Sequence, residues 1–125
     1  MPRSIKTTNA PAPIGPYNQA MKCGDMLFVS GQIALDPASG EMVQSDIEAE
    51  THMVMKNLKA VVEAAGLTMD AIVKCSIFVA DMGDFATINK VYGGYFMKSF
   101  PARETVEVSA LPAGARVEIS CIAAK

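Results

Sequence analysis

Residues 45–66 read SDIEAETHMVMKNLKAVVEAAG, and residues 71–80 read AIVKCSIFVA. The two stretches carry different periods. In the first, Ile47, Val54, Leu58, Val61, Val62 and Ala65 recur at helical spacing and share one face. Ser45 with Glu48 makes a capping box at its start, and Gly66 supplies a stop at its end. The second stretch is β-branched and alternates, with Val73, Cys75, Ile77 and Val79 on one side. A one-sided helix followed by a one-sided strand predicts a helix lying on a sheet.

Working outward from this pair, the segment Asn9 to Tyr17 carries three prolines and a glycine, and predicts an ordered loop packing by Ile14 and Tyr17. Strands are expected over Gln19–Lys22 and Met26–Ala34, joined by a turn at Gly24-Asp25. In the second of these, Leu27, Val29 and Ile33 alternate with Phe28, Ser30 and Gln32. Asp36 to Gly40 reads as a further turn. A second helix is expected from Asp84, with Phe85, Ile88, Tyr92 and Tyr95/Phe96 on one stripe, closed by Pro101. Gly93-Gly94 inside it costs helix propensity, about 1 kcal/mol each, which suggests close backbone packing there. Two last strands, Glu104–Ser109 and Arg116–Ala123, flank a turn at Leu111 to Gly114.

The order ββ-α-β-α-ββ predicts one α+β domain over 1–125, a two-layer sandwich with one mixed sheet and both helices on one face. The face left bare would hold Phe28, Ser30, Lys74, Phe78, Arg103, Thr105, Glu107, Arg116 and Glu118. Such a half-apolar face suits an interface between copies of the chain.

Composition excludes several functions. A net charge of −2 with scattered basic residues gives no footprint for nucleic acid. No apolar run is long enough to span a bilayer. Residues 1–16 lack the apolar core of a secretory signal, which predicts a cytoplasmic protein. Cys23, Cys75 and Cys121 form no CxxC pair and read as small buried hydrophobes. The single histidine, His52, falls mid-helix with no second ligand near it, so no metal site is expected.

Chemistry then rests on few residues. Arg103 follows Pro101 at a strand start, where it could clamp a carboxylate bidentately or form an interfacial salt bridge with Glu107 or Glu118. Glu118 alternates with Val117 and Ile119; it could serve as acid/base or as a partner for Arg116. Tyr17 could be an aromatic wall or simple packing.

Five segments together resemble one family. They are Ile14-Gly-Pro-Tyr17, Phe28-Val-Ser-Gly-Gln-Ile33, Asp84-Phe-Ala-Thr-Ile-Asn89, Phe100-Pro-Ala-Arg-Glu-Thr-Val106, and Leu111-Pro with Val117-Glu-Ile119. Their order and spacing are similar to those of the reactive-intermediate deaminases, RidA/YjgF. The resemblance implies a chorismate-mutase-like fold and a homotrimer with clefts between subunits. It also implies cofactor-independent hydrolysis of 2-aminoacrylate and 2-iminobutanoate-type enamine/imine acids to 2-keto acids and ammonia. Carried over, Arg103 holds the substrate carboxylate and Glu118 orients or activates water. Tyr17, Phe85 and Asn89 line the cleft, and Ser30 and Gly31 form its floor. Thr105 stands where many members have cysteine, and backbone groups there serve the site. The rival functions are a non-catalytic small-acid sensor or scaffold, and a ribonuclease.

Overall fold

The computed structural model describes residues 1–125, and its longest element is helix α1, Ile47–Ala64. Asp46 caps it: one carboxylate oxygen accepts from the Ala49 N–H at 2.7 Å. The cap therefore falls one residue after the expected Ser45. Both residue types cap equally well, and it is Asp46 that takes the extended backbone a cap needs. At the other end Gly66 turns left-handed, with φ 82°. Val54, Met55, Leu58, Val61 and Val62 are fully buried along α1, so truncating any of the larger ones costs about 2–5 kcal/mol.

The sheet has six strands in the order β1-β2-β3-β6-β4-β5. They are β1 (Arg3–Ile5), β2 (Ala20–Cys23), β3 (Met26–Gln32), β4 (Ile72–Val79), β5 (Ala102–Glu107) and β6 (Val117–Ala124). Only β4 and β5 run parallel; every other neighbouring pair is antiparallel. Helix α2, Phe85–Gly93, packs beside α1 on the same face. One buried cluster of 25 residues joins both helices to that face. This is the expected two-layer α+β sandwich of chorismate-mutase type. No helix is long and apolar enough to cross a membrane.

Several local expectations need correction. Strand β1 was not expected; its short, mostly exposed pattern carries no alternation signal. In β4 the register shifts between Ile72 and Lys74, so Ile72 is buried and Val73 is left half exposed. Helix α2 is shorter than its apolar stripe. It ends at Gly93-Gly94, and Tyr95 and Phe96 pack beyond it. The glycine pair therefore terminates the helix instead of bringing two backbones together. Ile14 and Tyr17 are exposed, so of the proline-rich loop it is Ala10, and not these two, that packs into the core. Cys23 is exposed as well, whereas Cys75 and Cys121 are buried partners across β4 and β6.

The bare face is half apolar, as expected, but its membership differs. It carries Phe28, Lys74, Phe78, Glu118 and Ile122, while Val106 at the edge is 40% exposed. Arg103, Thr105 and Glu107 are in register with Cys75, Ile77 and Val79, which are core residues. Paired residues point to the same side, so these three face the helical layer. The expectation assumed that valine would always turn inward. On edge strand β5 it does not, because the bare face is itself partly apolar.

Candidate active site

Arg103 lies on β5 beside α2. Phe85, Asn89 and Tyr92 recur at i, i+4 and i+7 on that helix and so present one face to it. The Asn89 side-chain oxygen accepts from an Arg103 Nη at 2.6 Å. The guanidinium carbon sits 5.4 Å from the Phe85 ring centre and 5.3 Å from that of Tyr92. No carboxylate of this chain pairs with Arg103. Glu107, one suggested partner, instead accepts the Met82 N–H at 2.7 Å. The arginine is therefore oriented by neutral groups and keeps its charge for something else. A groove runs past it between Asn89, Lys90, Gly93, Phe100 and Pro101. Two residues along, the Thr105 hydroxyl is buried without a hydrogen-bond partner, as is that of Tyr92.

Glu118 lies on the other face. It pairs with Phe78 across β4. The strand register of β3 slips between Val29 and Gln32, placing Ser30 and Gly31 in a bulge beside it. The glutamate side chain lies directly over Gly31, where an added Cβ would stand 2.7 Å from the carboxyl group. Ser30 is locked to the preceding loop by its hydroxyl, which donates to the Asn18 carbonyl at 2.6 Å. A cavity of about 40 Å3 here is lined by Pro11, Ile14, Tyr17, Gly31 and Glu118, among others. No charge neutralises the carboxyl group, and burial alone pushes its pKa above the ordinary carboxylate range.

Arg116 is not the partner of Glu118. Its side chain crosses to the helical layer, where its Nε donates to fully buried Glu50 at 2.6 Å. The expected placement of Arg116 on the bare face is thus wrong, because a buried carboxylate on α1 draws it away.

The candidate residues accordingly fall into two clusters. One comprises Arg103, Asn89 and Phe85, with Thr105 beside them; the other comprises Glu118, Gly31, Ser30 and Tyr17. They sit on opposite faces with β4 between their strands, and strands lie about 4.8 Å apart. No small molecule can touch both within one chain. Sequence reasoning missed Tyr92 as the second ring beside Arg103, although its spacing from Phe85 and Asn89 was visible. It also missed Gln19 and Glu50, since nothing in a pattern marks a polar residue as buried. The only histidine is used locally: His52 Nδ1 lies 2.9 Å from the Tyr95 hydroxyl. No cluster of three or more His, Cys, Asp or Glu side chains is placed to hold a metal ion.

The family described as Endoribonuclease L-PSP matches residues 7–125. The chain belongs to this RidA/YjgF family. Among relatives, Protein DfrA of Myxococcus xanthus is 54% identical over 97% of this chain and 94% of its own length. The 2-iminobutanoate/2-iminopropanoate deaminase of Escherichia coli is 46% identical over 100% of this chain and 99% of its own. A crystal structure of E. coli TdcF with bound serine matches with a TM-score of 0.95 at 40% identity, over 98% of both chains. This RidA/YjgF member therefore shares its whole length with relatives that carry different names.

Proposed function

We propose that the protein hydrolyses 2-imino and 2-enamino acids to 2-keto acids and ammonia, in clefts formed between neighbouring copies of a homotrimer. The observation that carries this reading is the division of the site. An unpaired, pre-oriented arginine lies on one face and a desolvated glutamate on the other, so each suits completion by a second chain. The names of the E. coli deaminase and of its mouse counterpart support the reaction class. The serine bound to TdcF supports a ligand with an amino-acid carboxylate.

In this reading Arg103 binds the substrate carboxylate through its planar fork, held flat by Asn89 and the two rings. The imine carbon is already electrophilic, so the protein has only to place water and move protons. Glu118 of the neighbouring copy takes a proton from the attacking water as oxygen bonds to C2. The proton then passes to the nitrogen of the tetrahedral intermediate. The C2 hydroxyl then gives its proton, by way of the same carboxylate, to that nitrogen; the C–N bond breaks, ammonia leaves and the keto oxygen remains. An enamine first takes a proton at its β-carbon and gives one up from nitrogen, which yields the imine. The raised affinity of Glu118 for protons suits both transfers.

The test is ammonia release from iminobutanoate generated in situ. Arg103→Lys keeps the charge but loses the fork, so kcat/KM should drop by about two orders of magnitude or more while the assembly remains folded. Near-normal turnover by that variant would remove the carboxylate clamp.

A further inference from the structure

Gln19 is 4% exposed, and both ends of its amide are hydrogen-bonded. Its Oε1 accepts the Thr7 N–H at 2.8 Å. Its Nε2 donates to the carbonyls of Thr7 at 3.0 Å, Ala10 at 3.3 Å and Pro11 at 2.8 Å. One side chain thus gathers four backbone groups of residues 7–11. Its own carbonyl accepts the Ser30 N–H at 2.9 Å, at the bulge beside Glu118. The loop it gathers continues into Pro11, Ala12, Ile14 and Tyr17, which line the cavity against Glu118. Ala10 packs into the core, but Ile14 and Tyr17 are exposed, so the amide is the loop's main polar anchor.

We propose that Gln19 is a positioning residue: its buried amide straps the 7–17 loop over the Glu118 carboxyl group and so sets how dry that group is. The inference rests on Glu118 serving the proposed reaction, and names what tunes it. Tyr17 from the loop is the titratable group lining the cavity with it. Strand β3 contributes Gly31 and Gln32, β4 contributes Phe78, and Arg116 is turned away to Glu50. In the proposed assembly the neighbouring copy's Arg103 is the further charge. Within the chain, the apolar cover is therefore the term to vary.

Glu118 must be ionised to accept a proton from water, so activity falls as pH drops through its pKa. Burial raises that pKa and moves the acid limb to higher pH. Loosening the strap admits water and moves the limb back toward the ordinary carboxylate range.

The experiment uses Gln19→Met, which keeps the length without polar atoms, and Gln19→Asn, which is one methylene too short to reach. Glu118 is titrated by carbon NMR in the full chain, alongside kcat and KM for iminobutanoate. The expected result is a lower carboxyl midpoint with kcat down about tenfold; KM changes less than kcat, because Arg103 is untouched even as the loop carrying Tyr17 loosens. A midpoint equal to that of the parent, in either folded variant, overturns the proposal. If neither variant folds, hydrogen exchange in the parent decides. A Thr7 amide as protected as those of β2 supports the strap, and one exchanging freely overturns it. The NMR midpoint does not depend on turnover. A lowered midpoint together with a parent that releases no ammonia keeps the strap and discards the deaminase reading.

Discussion

At Gly31 the difference between a hydrogen and a methyl group falls on the site. An alanine Cβ would stand 2.7 Å from the Glu118 carboxyl, and something has to move. The flexible end of a side chain moves more cheaply than a strand. Gly31→Ala should therefore leave thermal stability close to the parent while kcat falls by about tenfold or more, as calorimetry and ammonia release together would check. A large loss of stability with normal turnover would show that the glycine serves the bulge alone. At this scale the sequence was half legible. Arg103 and Glu118 stood out as candidates, but alternation alone left each open between a role in chemistry and a salt bridge, and only the family resemblance gave them roles. The side of Glu118 was legible from its alternation with Val117 and Ile119; that of Arg103 was not, since the side of β5 depends on its parallel register with β4, and alternation alone cannot choose it.

Among the elements, the joint between α1 and β6 depends on one buried anion. Glu50 accepts the Arg116 N–H at 2.7 Å and its Nε at 2.6 Å, and a Gln44 amide at 3.2 Å. Removing the cation leaves the carboxylate buried with backbone and amide donors only. Arg116→Met should cost roughly 3–5 kcal/mol, read from urea unfolding at fixed protein concentration. Adding Glu50→Leu should recover much of that loss, because an apolar pair needs no solvation. If the double variant is as unstable as the sum of the two single changes, the pair is not coupled. Both helices and five of the six strands were legible, for their apolar stripes are long or strongly alternating. The Glu50 joint was not. On its helix it reads as an ordinary acidic residue of the first turn, and only the path of Arg116 makes it a core group.

For the whole molecule, the division of the site gives a test that needs no further structure. If copies assemble as the proposed trimer, Arg103→Ala and Glu118→Gln each disable every cleft built from one variant alone. Mixed during refolding at equal amounts, three-quarters of trimers combine both chains, and each holds one cleft with both residues intact. Activity should return to about a quarter of the parent value if assembly is random. A site contained within one chain would regain nothing, and that outcome would end the shared-cleft reading. The bare face with Phe28, Phe78 and Ile122 is where such copies would meet.

The strand order has a consequence for how this chain is made. Strand β6 comes last in sequence yet lies between β3 and β4, and Lys125 just beyond it donates to the Asp25 carbonyl at 3.0 Å. On the ribosome, the hairpin of β2 and β3 and the crossover carrying β4 are both synthesised before the strand that joins them. Until residues 117–124 leave the exit tunnel, the inner edges of β3 and β4 remain open, a state that invites pairing with other nascent chains. Slow translation through residues 117–124 would prolong that exposure, and rapid translation would shorten it.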